Sequence, residues 1–157
     1  MGGVKLNIQN EEELLAVYDE MLANMRALDE DAKLTVQKMQ PAGFELILGG
    51  VRMDGTGPLV MCGMGGVYSE VFRDTAFRMA PLGEGEPGRI LDSLRCAPIL
   101  DGFRGAALDK GAAARNIAIL AQLMDRFPRI REIDINPCRV YESGTAILDA
   151  RIVLENK

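Results

Sequence analysis

Histidine and tryptophan are both absent from this chain of 157 residues, and cysteine occurs only three times. Without histidine, imidazole general-base chemistry, histidine metal ligation and a phosphohistidine within these residues are excluded. Cys62, Cys96 and Cys138 are odd in number and widely spaced. That pattern suits reduced thiols in a cytoplasmic protein, not a disulfide framework or a zinc site. No apolar run reaches the roughly 18 residues that span a bilayer, so no membrane partner is expected. The N-terminus lacks the basic flank and apolar run of a signal peptide. Positive charge is in deficit, 18 Lys and Arg against 23 Asp and Glu, and the net charge of −5 has scattered signs. This argues against nucleic acid as the main partner. Low-complexity segments and internal repeats are also lacking.

What is present is enough for one folded domain over residues 1–157, with 48% hydrophobic residues to build a core. Val4 to Ile8 alternates as a strand. Asn10 is a helix cap with Glu13 as its capping-box partner, and Leu14, Tyr18, Met21, Leu22, Met25 and Leu28 follow as a core-facing helical stripe. Strands are expected over Leu34–Met39, Phe44–Arg52, Leu59–Met64, Tyr68–Arg73 and Ala76–Ala80. Gly83–Gly88 reads as a flexible break and Arg89–Arg95 as a short helix. A second long helix starts near Asp109, with Ala113, Ile117, Leu120, Met124 and Phe127 as its stripe, and Pro128 ends it. Successive strands with few helices between them predict an α+β fold, a largely antiparallel sheet with helices on one face.

The last two strand patterns carry oxygen where apolar side chains are expected. Glu132, Asp134 and Asn136 alternate with Ile133 and Ile135, so the polar residues share a face. In the next strand Ala146, Leu148, Ala150 and Ile152 point one way, and Ile147, Asp149 and Arg151 the other. If Glu142 and Ser143 form a two-residue hairpin loop, Asn136 lies opposite Asp149, with Cβ atoms roughly 4.5–5.5 Å apart. Hard oxygen donors gathered this way suit Mg²⁺, which is usually held by one or two protein groups plus substrate phosphates. The same pattern also suits the solvent face of an edge hairpin, and spacing alone does not separate the two. Gly63-Met64-Gly65-Gly66 reads either as a phosphate-approaching loop or as a plain glycine turn. Glu45, in an otherwise apolar strand, and Arg78 and Arg104 have ordinary surface readings as well as chemical ones.

Taken in order, these segments resemble a known family. Val36-Gln37-Lys38-Met39, Gly43 to Gly49, Gly63 to Val71, Phe77 to Leu82, Phe103-Arg104-Gly105, Asp134-Ile135-Asn136-Pro137 and Asp149-Ala150-Arg151 together are similar to the ATP-grasp domain of the NDP-forming acyl-CoA synthetases. The β subunit of ADP-forming acetyl-CoA synthetase belongs to that family. The resemblance covers essentially the whole chain. The opening Gly2-Gly3-Val4-Lys5-Leu6 resembles a stretch inside the family's domain, which implies that the chain corresponds to the second, C-terminal part of it.

The resemblance implies ATP/ADP and Mg²⁺ as cofactors, with Asn136 and Asp149 as metal ligands and Asp134 near the phosphoryl-transfer centre. It implies that Gln37, Lys38 and Met39 hold adenine and that Glu45 accepts from ribose hydroxyls. Gly65, Gly66 and Arg104 are implied on the nucleotide side, and Glu70 and Arg78 at catalytic motif positions. The activity implied is that of an ADP-forming acid–CoA ligase, in which phosphoryl transfer is linked to acyl-CoA formation. Its implied partners are an N-terminal ATP-grasp lobe and CoA-binding domains, in the same or another chain, and the chain alone is expected to be inactive. Apolar surface on the nucleotide face would favour self-association. The alternative is a non-catalytic nucleotide-binding or assembly module derived from this domain.

Overall fold

The structure, a computed structural model, describes residues 3–67 and 69–155. It divides into two compact units, Met1–Pro41 and Ala42–Lys157.

The first unit contains one helix, α1 (Glu11–Arg26). Its start follows the sequence signal: the Asn10 side chain accepts from the Glu13 N–H at 2.9 Å, and Glu13 reaches back to the Gln9 N–H at 2.9 Å. The apolar stripe of α1 contributes no buried residue, however, and Leu28 is 74% exposed. The expected strands Val4–Ile8 and Leu34–Met39 are not formed, because neither segment has a ladder partner. Gly2, in the opening motif, lies outside the described residues.

The second unit is an antiparallel sheet covered by helices. Its elements are β1 (Phe44–Met53), β2 (Gly57–Met64), α2 (Ser69–Phe72), β3 (Thr75–Met79), α3 (Glu86–Asp92), α4 (Ala97–Leu100), α5 (Lys110–Arg126), β4 (Ile130–Val140), β5 (Thr145–Ile147) and β6 (Ala150–Leu154). The sheet order is β3-β2-β1-β4-β5, with β6 also paired to β4. Every pairing is antiparallel. The strand expected from Tyr68 is instead the short helix α2, because the edge beside β2 is already taken by β3; Tyr68 itself lies outside the described residues. The expected break Gly83–Gly88 is partly helical, since α3 begins at Glu86 with Pro87 in its first turn.

Alternation sets the two faces of the sheet. Leu46 and Leu48 on β1, Val60 and Cys62 on β2, and Ile133 and Ile135 on β4 are all buried. They pack against Ile117, Leu120, Ala121 and Met124 of α5 and Ile90 and Leu91 of α3. Each large side chain so enclosed is worth about 1.5–3 kcal/mol relative to exposure. Phe127, expected to complete the α5 stripe, is 54% exposed because it lies beyond the last helical turn. The carbonyls that α5 leaves open at its C-terminus are met by Arg52, whose guanidinium donates to Met124 O and to Phe127 O at 3.4 Å. The same group donates to Ile130 O at 3.2 Å and so ties helix end to strand start. Within the second unit, α3 and α5 pack on this face, and the opposite face is the one toward which Gly49, Met61 and Asp134 turn.

Candidate functional site

The open face is a grid whose rows run across the strands. Its central row is Phe77, Met61, Gly49, Asp134 and Arg151. Toward one end lies the row Met79, Leu59, Val51, Glu132 and Val153. Toward the other come Thr75, Gly63 and Ile47, then Gly65, Glu45, Arg139 and Ala146. In the first two rows β1, β2 and β3 present apolar side chains and glycine, whereas β4 and β6 present Glu132, Asp134 and Arg151. Between them Gly49, Val51, Leu59, Met61, Phe77, Glu132 and Asp134 line a shallow cavity of about 220 Å³.

Asn136 and Asp149 meet as the two-residue hairpin loop requires. Tyr141 N–H donates to Gly144 O at 3.1 Å, and the register runs Val140–Thr145, Arg139–Ala146, Cys138–Ile147. Asn136 N–H then donates to Asp149 O at 3.2 Å. Alternation from Glu132 and Asp134 carries Asn136 to the open face, and alternation from Arg151 carries Asp149 there. Both are exposed.

The expectation for the second strand is corrected. It is not one alternating run but two strands, β5 and β6, parted at Leu148 and Asp149. Ala146 therefore stands level with Arg139 on the open face, while Ala150 pairs with the buried Ile135. A bulge in β4 matches this break. Leu46 faces Cys138 and Leu48 faces Ile135, so Asn136 and Pro137 stand together against Ile47. The peptide bond between them is cis.

The bulge also brings in a residue that sequence reasoning missed. Plain alternation from Asn136 sends Arg139 to the core; the one-residue shift sends it to the open face opposite Glu45. Arg139 Nε donates to Glu45 Oε1 at 2.9 Å, with side chains 21% and 24% exposed. Pro137 inside a strand pattern, with apolar Cys138 and Val140 on either side of Arg139, was the available signal. Glu45 also meets the glycine turn. Gly65 N–H donates to Glu45 O at 2.7 Å, and a side chain at Gly65 would lie 3.1 Å from that carbonyl. Gly66 has φ +84°, a conformation glycine adopts without strain.

The other acidic groups differ in their partners. Glu132 pairs with Arg151 at 2.5 Å, an exposed contact of small energetic weight. Asp134 and Asp149 have no ion-pair partner among the described residues. Among those residues no group of three or more His, Cys, Asp or Glu could hold a metal ion. The pair Asn136 and Asp149 offers an amide oxygen and a carboxylate. That hard donor set fits Mg²⁺, whose remaining positions go to phosphate and water.

Within the second unit, Arg78, Glu70 and Arg104 are not gathered at this point. Arg78 stands on the edge strand β3 level with the buried Val60, and its Nη1 donates to Phe77 O at 2.7 Å. Glu70 is exposed on α2, with its carbonyl accepting from Arg73 Nε at 3.4 Å. Arg104, with φ +57°, lies on the loop between α4 and α5, its guanidinium 5.3 Å from the centre of the Phe103 ring. Gln37, Lys38 and Met39 are exposed in the first unit.

Residues 1–154 match the family model described as "ATP-grasp domain". The chain is similar, at 37% identity over 98% of its length, to the acetate–CoA ligase [ADP-forming] I subunit beta of Pyrococcus furiosus, and spans 68% of that protein. It is 35% identical, again over 98% of its length, to the 4-hydroxybutyrate–CoA ligase [ADP-forming] of Nitrosopumilus maritimus, of which it spans 23%. Among solved structures it resembles the dinucleotide-forming acetyl-coenzyme A synthetase 1 of Candidatus Korarchaeum cryptofilum, in complex with coenzyme A and Mg-AMPPCP. The TM-score is 0.87 at 37% identity, covering 98% of this chain and 68% of that one. These relatives are longer than the part they share with the chain; two are named ADP-forming CoA ligases and the third an acetyl-coenzyme A synthetase. The chain belongs to the ATP-grasp domain family, in the branch formed by the ADP-forming acyl-CoA synthetases.

Proposed function

We propose that the open face of the sheet holds Mg²⁺–ATP or Mg²⁺–ADP for an ADP-forming acyl-CoA synthetase, with Asn136 and Asp149 as the metal's protein ligands. The carrying observation is the register: two hard oxygen donors stand opposite each other, exposed, on the sheet face away from α3 and α5. Bound there, the ion would offset charge on the phosphates during phosphoryl transfer. Asp134, one row away and without an ion-pair partner, adds negative charge beside that centre. Glu45, fixed by Arg139, turns its second oxygen toward Gly66, where it can accept from ribose hydroxyls. Gln37, Lys38 and Met39 take the adenine. Glu70, Arg78 and Arg104 are assigned to the phosphates by the family resemblance alone.

Relatives named for different acids, acetate and 4-hydroxybutyrate, share this segment over 98% of the chain. A segment common to enzymes of different acid specificity is not where the acid is selected, and that fits the nucleotide chemistry they share. The acid is then handled by other domains or chains. Calorimetric titration of ADP with and without Mg²⁺ tests the reading. Mg²⁺ should strengthen binding to the unaltered chain. Asp149→Ala should abolish that gain, and Asn136→Ala should reduce it. A gain that survives both substitutions would place the metal elsewhere.

A further inference from the structure

β5 is only three residues long, and none of them is buried. Core packing therefore gives it little hold on its register, and a one-residue slip would turn Asp149 away from Asn136. The two-residue loop sets that register, and a second hold comes from outside the sheet. Asp109 caps α5, its Oδ1 accepting from Ala112 N–H at 2.8 Å. Its Oδ2 accepts from Gly144 N–H in the hairpin turn at 2.9 Å. Its own N–H donates to Tyr141 O, on the other arm of the turn, at 2.7 Å. One residue thus grips both arms. Two turns further along α5, Asn116 Nδ2 donates to Thr145 Oγ1, at the first residue of β5, at 2.8 Å. The Ala112 and Gly144 N–H donors, in that order, hold the Asp109 carboxyl below the usual carboxylate range.

We propose that Asp109 and Asn116 form a latch from α5 onto the β4–β5 hairpin, making Asp109 a positioning residue for the Asn136/Asp149 pair. The inference rests on the reading of that pair as Mg²⁺ ligands. A helix cap needs one side-chain oxygen, which Ser, Thr or Asn supplies as well. The second carboxylate oxygen is the one that serves the hairpin.

Asp109→Ser keeps a capping oxygen on a shorter side chain with no second acceptor for Gly144. Thr145→Val removes the oxygen acceptor of Asn116 at nearly constant volume and leaves its contact with Cys138 Sγ at 3.5 Å, which lies on β4. The probe is Mn²⁺, read by paramagnetic broadening of backbone amide signals in the full chain. Broadening should centre on Asn136 and Asp149, and each variant should need about tenfold more Mn²⁺ to produce it, the effect expected for a residue that orients a metal ligand. Asp149→Ala runs alongside. If it abolishes the broadening while both variants bind Mn²⁺ as the unaltered chain does, the latch is overturned and the metal reading stands. If Asp149→Ala leaves the broadening in place, the metal reading falls and the latch loses its purpose. A lowered melting temperature with unchanged Mn²⁺ affinity is what a purely structural cap would give, and it also overturns the proposal. Should Asp109→Ser fail to fold, Thr145→Val and amide exchange of the unaltered chain decide: a Gly144 N–H exchanging as fast as that of exposed Ser143 contradicts the latch.

Discussion

Asp74 is the one charged residue among the described buried side chains, at 7% exposure, and its surroundings say why it is tolerated. Burial pushes its carboxyl up. The backbone N–H groups of Arg95 and Cys96, each donating at 2.8 Å, outweigh that and hold it below the ordinary value. A carboxylate with a lowered folded pKa adds stability above its unfolded pKa, about 3.9, and loses it as pH falls through the folded value. Asp74→Asn replaces one acceptor with a donor facing an N–H, and should cost about 1–3 kcal/mol near neutral pH. Urea melts should show that cost shrinking below about pH 4. Burial, then the Asp74 contact, pushes the neighbouring Cys96 thiol up to about 12. Burial also raises Cys62 and Cys138. The folded chain should therefore resist an aromatic disulfide reagent at pH 8, with thiol release tracking unfolding; rapid release from the native state would contradict this. Arg139→Met should leave Glu45 half-buried and unpaired, costing about 1–2 kcal/mol in the same melts, between an exposed and a buried pair.

At the scale of elements, α5 sits directly on β1. A Cβ at Gly50 would lie 2.7 Å from Met124 Cγ and 2.9 Å from its sulfur. Gly50→Ala should push helix and strand apart and cost about 1–3 kcal/mol, read as a lower urea midpoint at unchanged slope. Elements that bury one stripe or face were legible in the sequence: α5 from Ala113, Ile117, Leu120 and Met124, β1 from Leu46 and Leu48. The hairpin loop at Glu142 and Ser143 was legible too, and with it the apposition of Asn136 and Asp149. What failed depended on pairing that no local pattern records. Leu34–Met39 has strand-like residues and no partner strand, and the residues after Gly66 turn into a helix because β3 occupies the edge. The bulge at Asn136 and Pro137 reversed the alternation beyond it, which hid Arg139 and mis-assigned Ala146. Asp109 and Asn116 read as ordinary helix residues; their second contacts reach 35 and 29 residues ahead.

In the second unit as a whole, the labour is divided between two sheet faces. One is filled by α3 and α5, and the other carries Glu45, Gly65, Asp134, Asn136 and Asp149. An NMR titration of the isotope-labelled chain with Mg²⁺–ADP tests this most directly. The predicted result is a set of shifted amides on the Gly63 to Gly66 turn, Glu45, and the Asn136 and Asp149 stem, with the shifts at the stem lost in Asp149→Ala. Shifts confined to α3, α5 and the buried face, unchanged by Asp149→Ala, would contradict the account.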